Sequence, residues 1–333
     1  MAEELIISIS GMRGVVGESL TPGIATDYGC AFGIFLKSKG EAKKKSSVCI
    51  GRDSRPSGSS LRTAVTAGLN SVGIDVVDLG IVTTPGVGIM VRYLQLDGGV
   101  VITASHNPVQ YNGIKLLLDN GMAPPAEKTE KIKDCFNAKN FAFMDSFHCG
   151  NATSNEQTDT QHIDKVLAIV DKETIKAGSF KVVLDSVNGA GGRVTKKLLS
   201  EFGCNVCAIN DEPTGLFAHT PEPIAENLTE LCGVVKKEKA DVGFAQDPDA
   251  DRLAIVDQAG NFIGEEYTLV LATKYLLGKK KGNVATNLST SRMIDDIAQK
   301  AGAKVIRTAV GEANVANAML EHECIIGGKE TGE

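Results

Sequence analysis

The sequence predicts an α/β protein of three related domains, each a mixed sheet flanked by helices, arranged around a shared cleft. The chain has 333 residues, enough for two or three domains. One layout recurs three times: a short apolar strand, a Gly/Ser/Asn-rich loop, a helix, and a second strand that opens on Gly. Each copy then reaches a further apolar strand that ends in an unusual loop. Because α/β proteins bind ligands at loops that leave the carboxyl ends of strands, three equivalent loops are expected to face one cleft.

The first copy lies in a domain predicted at residues 1–150. It runs from a strand at 48–50, through the loop Arg52-Asp53-Ser54-Arg55 and a helix, to a strand that begins at Gly73. Strand, helix and strand in that order make a βαβ unit. Thr21 before Pro22 marks the start of an earlier helix, since Thr caps helices and Pro is tolerated at their first position. The strand at 98–102 then delivers a loop that contains Ser105.

The second and third copies predict domains at residues 151–258 and 259–333. Their first strands lie at 182–184 and 284–286, and their second strands open on Gly203 and Gly302. A polar stretch at 145–160 and a turn at 258–261 supply the boundaries. The final strands, at 240–244 and 324–326, deliver loops that begin at Asp247 and Gly327.

The loop after residue 246 predicts a cation site. Asp247, Asp249 and Asp251 alternate, so their carboxylates can converge, and mutual repulsion then makes a bound cation favourable. Their hard oxygens favour Mg²⁺ or Ca²⁺ over zinc or copper. An EF-hand is excluded, because its sixth and twelfth positions, Gly and Glu, are Arg252 and Gln258 here. The alternative is a solvated acidic turn without a metal.

Ser105 is a candidate nucleophile. It could simply cap a helix or close a turn, but His106 is adjacent and Lys115 follows on a predicted strand. The lipase-type elbow is excluded, because Thr103 and Asn107 stand where it needs Gly. A serine beside cations and a Mg²⁺ loop favours phosphoryl transfer.

Composition limits the other function classes. The chain has 41 acidic and 35 basic residues and a net charge of −6, which gives no support for nucleic-acid binding. The N-terminus lacks the layout of a signal peptide, and no stretch is apolar and long enough to span a membrane. We therefore expect a cytoplasmic protein without a membrane partner, and its eight scattered cysteines agree with a reducing compartment.

With these motifs the chain resembles the α-D-phosphohexomutase family, which includes phosphoglucomutase, phosphomannomutase and phosphoglucosamine mutase. The resemblance extends from Gly11 to the last residue. It rests on four segments that match the family in order: Gly11-Met12-Arg13-Gly14, Thr-Ala-Ser-His-Asn-Pro at 103–108, Asn112 to Lys115, and Asp-Pro-Asp-Ala-Asp-Arg at 247–252.

The resemblance implies a role for each motif. Ser105 would carry a phosphoryl group, and that phosphoserine would hold Mg²⁺ together with Asp247, Asp249 and Asp251. Around the transferring group would lie Arg13, His106, Lys115 and Arg252, of which His106 and Lys115 are both candidates for proton transfer. The implied reaction interconverts a hexose 1-phosphate and 6-phosphate through a sugar 1,6-bisphosphate, which also serves as activator. A phosphosugar partner follows, and a homodimer is compatible with the family.

The third loop departs from the family pattern. Many relatives have a Gly-Glu-x-Ser-Gly type sequence there, whereas this chain has Gly328-Lys329-Glu330-Thr331-Gly332. Lys329 occupies the Glu position unless Glu330 takes that role one residue along, and Thr331 could supply the hydroxyl. We expect substrate contacts from Thr308, Gly311, Glu330 and Thr331.

The length also departs from the family. Relatives carry a fourth domain that anchors the non-reacting phosphate, and the sequence stops at Glu333, directly after the third loop. We therefore expect impaired turnover, because remote binding energy normally positions such substrates. Two alternatives remain open at this point. One is a Mg²⁺-dependent phosphatase that hydrolyses the phosphoserine, and the other is a non-catalytic binding protein that retains a relic of the site.

Overall fold

Three sheets organise the computed structural model, which describes residues 4–8, 11–38 and 45–329. Within these residues the sheets have seven, four and three strands, and they follow one another along the chain. Each sheet has helices packed on both faces. The predicted architecture of three related α/β domains is confirmed.

The described residues of the first domain form seven strands and four helices. They are, in order, β1 (Ile6–Ser8), β2 (Gly11–Val15), α1 (Pro22–Lys37), β3 (Ser47–Arg52), α2 (Gly58–Ser71), β4 (Asp75–Ile81), α3 (Thr84–Tyr93), β5 (Gly98–Ile102), β6 (Tyr111–Leu118), α4 (Ala126–Ala138) and β7 (Ala152–Ser154).

The first sheet has the order β1-β2-β6-β5-β3-β4-β7. β5, β3, β4 and β7 are parallel to one another, and β6, β2 and β1 add an antiparallel edge next to β5. β7 lies beyond the boundary that the sequence placed at residue 150, within the stretch expected to be a linker. Its three residues pair with β4, since Val76, Val77 and Asp78 offer a free parallel edge there. The first sheet therefore extends to Ser154.

Strand β5 shows why this segment of the sequence is continuously apolar. All five of its residues are buried, because helices cover both faces of the sheet. Val100 and Ile102 pack with α1, α2 and α4, whereas Val101 points to the opposite face and packs with α3. The strand that delivers Ser105 is thus fixed from both sides.

The second domain repeats this plan on a smaller scale. Its elements are α5 (Thr158–Leu167), α6 (Lys172–Ala177), β8 (Lys181–Asp185), α7 (Gly191–Glu201), β9 (Asn205–Ile209), a 3-10 turn (Ala225–Asn227), α8 (Thr229–Glu238), β10 (Val242–Gln246) and β11 (Leu253–Asp257). The strand order is β11-β10-β8-β9, with β11 antiparallel to β10 and the others parallel. The second sheet is therefore mixed, as the first is.

The third domain contains α9 (Tyr267–Lys279), β12 (Val284–Asn287), α10 (Met293–Lys300), β13 (Val305–Thr308), α11 (Glu312–Glu321) and β14 (Ile326–Gly328). Its order is β13-β12-β14, and all three described strands are parallel. The mixed arrangement expected for every domain is thus present in the first two sheets, and the described part of the third is parallel. None of the helices in the described ranges is long and apolar enough to cross a membrane.

Candidate active site

The loop that follows β5 presents the Ser105 hydroxyl to the second domain. Ser105 has a left-handed backbone with φ of 49°, and its amide donates a 2.9 Å hydrogen bond to Thr103 Oγ1. Ser105 Oγ donates to Asp247 Oδ2 over 2.6 Å, and His106 Nδ1 lies 3.3 Å from Ser105 Oγ. The candidate nucleophile and the acidic loop are therefore in direct contact.

A buried arginine holds the serine loop in place. The Arg55 side chain is fully buried and is paired with Asp53 over 3.0 Å. Its guanidinium also donates to four carbonyl oxygens of one segment, those of Ser105, Asn107, Pro108 and Tyr111, at 2.6 to 3.1 Å. A planar group with several fixed donors suits such a task, because it can bond several acceptors at once.

Sequence reasoning missed this role for Arg55. The residue stands in the loop after β3, which the sequence analysis identified only as the loop of the first repeat copy. The signal was an Arg-Asp-x-Arg segment at the end of a buried strand, since charges there need buried partners. The second domain adds Phe217, whose ring centre lies 5.0 Å from the Arg55 guanidinium.

The three aspartates form a compact cluster after β10. Each offers one oxygen, and these oxygens lie within 4.8 Å of one another. Asp247 and Asp249 are buried and Asp251 is exposed. Burial, together with the negative charges of Asp249 and Asp251, raises the pKa of the Asp247 carboxyl well above its ordinary value. The cluster is electrostatically costly without a cation.

Lys115 supplies positive charge to this cluster from strand β6. Its Nζ donates to Asp249 Oδ2 and to Asp251 Oδ2, each over 2.8 Å. Burial works against the ammonium, but the two carboxylates outweigh it, and the pKa of Lys115 lies well above its ordinary value. Burial would likewise raise the pKa of Asp249, yet the charge and hydrogen bond of Lys115 hold that pKa below its usual range.

The cluster fits a hard divalent cation. Asp249 Oδ1 is buried and has no hydrogen-bond partner among the described residues, and an unpartnered carboxylate oxygen is costly unless something else binds it. The donors are carboxylate oxygens, the type that Mg²⁺ prefers, and Mg²⁺ keeps further positions for phosphate oxygens or water. These observations support the predicted metal loop over a solvated acidic turn.

Basic side chains from all three domains surround a cavity of about 190 Å³ in front of Ser105. The lining includes Arg13 from β2, Arg252 after the aspartates and Lys329 after β14. Burial, followed by the positive charges of Arg252, Arg13 and Lys329, lowers the pKa of His106 to about 4. Such a concentration of positive charge suits an anionic ligand such as a phosphate.

The three loops that the sequence singled out share this cavity. Ser105 comes from the first, Asp251 and Arg252 from the second, and Lys329 from the third. A second space of about 320 Å³ adjoins Asp251, Arg252 and Lys329 and continues toward Gly327 and Gly328 of the third domain. The shared cleft predicted from the repeat is therefore present.

Of the four substrate-binding candidates of the third domain, the two that the structure describes do not line the cleft. Thr308 and Gly311 are absent from the described lining of both cavities, and Thr308 Oγ1 donates instead to the Ala309 carbonyl. Glu330 and Thr331 lie outside the described residues. Glu312, at the start of α11, does line both cavities. Glu312 directly follows Gly311, in the segment from Thr308 to Glu312 that the sequence predicts to contact the sugar hydroxyls.

Comparison with known families matches all three domains. Models of phosphoglucomutase/phosphomannomutase α/β/α domains I, II and III match residues 5–143, 160–260 and 264–332. The chain is 42% identical over 331 residues to a phosphoglucomutase/phosphomannomutase of Thermococcus kodakarensis, covering 97% of this chain and 70% of that protein. It is 38% identical over 325 residues to a probable phosphoglucosamine mutase of Methanopyrus kandleri, with the same two coverages.

Solved structures show the same relationship. A putative phosphomannomutase of Thermus thermophilus superposes with a TM-score of 0.89 at 28% identity, covering 100% of this chain and 75% of that one. A phosphoglucomutase/phosphomannomutase family protein of Burkholderia thailandensis gives a TM-score of 0.85 at 26% identity, with 98% and 72% covered. With three matched domains and this degree of identity, the chain belongs to the phosphoglucomutase/phosphomannomutase family and is a phosphohexomutase.

Proposed function

We propose that Ser105 is the phosphoryl carrier of this phosphohexomutase and that it works beside a Mg²⁺ ion held by Asp247, Asp249 and Asp251. The observation that carries the proposal is the 2.6 Å hydrogen bond from Ser105 Oγ to Asp247 Oδ2. A phosphoryl group on Ser105 would place its oxygens at the mouth of the carboxylate cluster, so it could complete the ligand set.

The cation would supply charge stabilisation to the phosphoryl oxygens. The chain contributes the rest of the electrostatic field through Arg13, Arg252 and Lys329, which line the cavity in front of Ser105. Phosphoryl transfer depends mainly on positioning and on neutralising oxygen charge, so fixed cations around the acceptor are the expected machinery.

Each half-reaction breaks one phosphorus–oxygen bond as another forms. A hydroxyl proton leaves the accepting oxygen, and the departing oxygen takes one up. Geometry favours His106 over Lys115 for handling this proton at Ser105, because His106 Nδ1 lies 3.3 Å from Oγ. The contacts of Lys115 Nζ are with Asp249 and Asp251. We assign Lys115 to orienting these carboxylates.

We propose a hexose phosphate as substrate, with a sugar 1,6-bisphosphate as intermediate and activator. The relatives are named for phosphoglucose, phosphomannose and phosphoglucosamine conversion, so these three sugars define the test set. Glu330 and Thr331 remain predicted sugar contacts, as do Thr308 and Gly311. Glu312 joins them because it lines the cleft. A cytoplasmic location, a homodimer and the absence of a nucleic-acid partner stay predictions from the sequence.

The experiment follows the phosphoryl group itself. Purified protein is incubated with Mg²⁺ and glucose 1,6-bisphosphate, and its intact mass and phosphorylation site are measured. We expect the mass of one added phosphoryl group on Ser105 and none on a Ser105→Ala variant. The same samples are then given the 1-phosphates of glucose, mannose and glucosamine, and formation of the 6-phosphates is followed.

Each result has a distinct meaning. Phosphorylation of Ser105 with formation of a 6-phosphate supports the proposal and identifies the sugar. Release of inorganic phosphate without an isomer would favour the phosphatase alternative. A folded protein that acquires no phosphoryl group from the bisphosphate would overturn the proposal in favour of a relic site.

A further inference from the structure

Thr84, the first residue of helix α3, hydrogen-bonds the aspartate loop of the second domain. Thr84 Oγ1 donates a 2.6 Å hydrogen bond to Asp249 Oδ2, although 165 positions separate the two residues. The Thr84 backbone amide donates a second bond, of 2.9 Å, to the carbonyl oxygen of Asp249. Thr84 is 8% exposed and Asp249 is 0% exposed, so water does not compete for either contact. One residue thus holds both the backbone and the side chain of the central aspartate.

These contacts divide the two oxygens of Asp249 into different roles. Oδ2 accepts from Thr84 Oγ1 and from Lys115 Nζ. Oδ1 is buried without a hydrogen-bond partner in the described part of the chain. Two donors on one oxygen fix the rotation of the carboxylate plane, which leaves the other oxygen presented to a ligand. Outer residues that orient a metal ligand in this way commonly tune the affinity of the site.

The first turn of α3, which carries Thr84, is held in place by a helix cap, a proline and burial against the first sheet. Thr83 caps the helix by accepting a 3.1 Å bond from the Gly86 amide, and Pro85 fixes the backbone of the first turn. Val87, Met90 and Val91 of the same helix are fully buried against the first sheet. Because the helix is anchored to one domain, it can set the position of a loop that belongs to another.

We propose that Thr84 is a positioning residue for the cation site, which it serves by orienting Asp249 so that Oδ1 faces the ion. This inference rests on the cation site proposed above. It assigns to the hydroxyl a role in metal affinity that differs from ordinary packing between domains. The methyl group of Thr84 can serve packing, whereas only the hydroxyl can serve the carboxylate, so substitutions separate the two roles.

The test measures Mn²⁺ binding to the purified protein by calorimetry, with no sugar present. Thr84→Val keeps the shape and removes the hydroxyl, and we expect its Mn²⁺ affinity to fall by about 10- to 100-fold. Thr84→Ser keeps the hydroxyl and removes the methyl group, so its affinity is expected to stay near that of the wild type. Thr84→Ala removes both and should bind Mn²⁺ as weakly as the Val variant.

Thr83→Val is the matched control, since it changes the adjacent residue of the same turn. It removes the helix cap and should lower the melting temperature, but Thr83 makes no hydrogen bond to an aspartate of the cluster among the described contacts. Its Mn²⁺ affinity is expected to equal that of the wild type. Comparison of the two variants thus separates loss of stability from loss of metal affinity.

The outcomes are distinguishable. If wild-type protein fails to bind Mn²⁺, the cation site itself is wrong and the role of Thr84 falls with it. If the wild type binds and folded Thr84→Val binds equally well, the site stands and the inference is overturned. Should Thr84→Val fail to fold, the Ser and Ala pair decides: equal affinity of these two also overturns the inference, and tighter binding by the Ser variant supports it.

Discussion

Ser105 and Asp247 are 142 positions apart, yet the hydroxyl of one donates a 2.6 Å hydrogen bond to the carboxylate of the other. The contact joins the loop after β5 to the loop after β10, so it links the carboxyl ends of strands in two different sheets. Since both loops are fixed by buried strands, the distance between nucleophile and acidic cluster is set by the packing of the two domains.

Asp247 should be indispensable for cation binding. We expect Asp247→Asn to lower Mn²⁺ affinity by more than about 100-fold. Loss of a residue that only orients a metal ligand already lowers metal affinity by about 10- to 100-fold, and Asp247 is proposed as a ligand itself. Calorimetric titration measures this directly. Asp241→Asn is the control, since Asp241 precedes the same strand and bonds the Lys181 amide outside the cluster. Equal affinities of the two variants would contradict a metal role for Asp247.

Arg55 should contribute more to stability than an exposed arginine. Arg55→Met leaves the buried Asp53 carboxylate without its ion pair, and we expect the free energy of unfolding to fall by about 3–5 kcal/mol. Arg62→Ala removes a partly exposed pair with Asp78 and should cost less than about 1 kcal/mol. Urea unfolding measures both. Similar costs would show that the Arg55 network does not hold the serine loop.

The close approach of the first two domains can be tested at Gly215. Its φ is +70°, and an added Cβ would lie 2.2 Å from the Ser54 carbonyl oxygen. Gly17 also has a positive φ, of +88°, but nothing lies within 4 Å of its Cβ position. Gly17→Ala should therefore cost only the backbone term of about 1–2 kcal/mol.

Gly215→Ala should cost more than this backbone term, since it must also separate Ser54 from the second domain. It should in addition slow phosphorylation of Ser105 by the bisphosphate. Unfolding measurements and the intact-mass time course check the two effects. If Gly215→Ala and Gly17→Ala had the same free energy of unfolding and the same rate of Ser105 phosphorylation, the contact between Gly215 and Ser54 would accommodate a Cβ without cost, contrary to this prediction.

His219 should make stability depend on pH. Burial opposes its charge, but the hydrogen bond and charge of Asp185, over 3.1 Å, prevail and raise the pKa of His219. A raised pKa in the folded state means that the contribution is full below the unfolded value of about 6.5 and is lost as the pH rises through the folded value. The wild type should therefore exceed His219→Gln in stability by more at low pH than at high pH.

Chemical unfolding of both proteins at a series of pH values measures this difference. His148→Gln serves as control, because its pair with Asp145 lies on the surface with about two thirds of each side chain exposed. A gap between wild type and His219→Gln that stays constant with pH would refute the assigned contact.

The repeat explains why much of the site could be predicted from the sequence. Equivalent strands end in equivalent loops, so one pattern placed Ser105, Asp251 and Lys329 at a common cleft. The pattern of apolar residues also predicted the strand that carries Lys115. These features depend on local sequence and on the topology of α/β units, both of which leave a periodic trace.

The remaining features depend on packing between domains, which leaves no such trace. The local sequence alone does not establish that Arg55 is buried, because its burial results from packing of the folded chain beneath the serine loop. Nothing in the sequence around Thr84 indicates its hydrogen bond to Asp249, which lies 165 positions away in the chain. The pairing of β7 could not be foreseen either, because its exposed residues Ala152, Thr153 and Ser154 show no apolar pattern and pair with β4 as backbone.

The Lys115 side chain supplies a positive charge to the acidic loop from within the polypeptide. Its ammonium pairs with both Asp249 and Asp251. Two of the three carboxylates therefore have a cationic partner without an ion from solution. We therefore expect the acidic loop to keep this conformation without a bound cation, so that a cation would enter a site whose ligands are already in place.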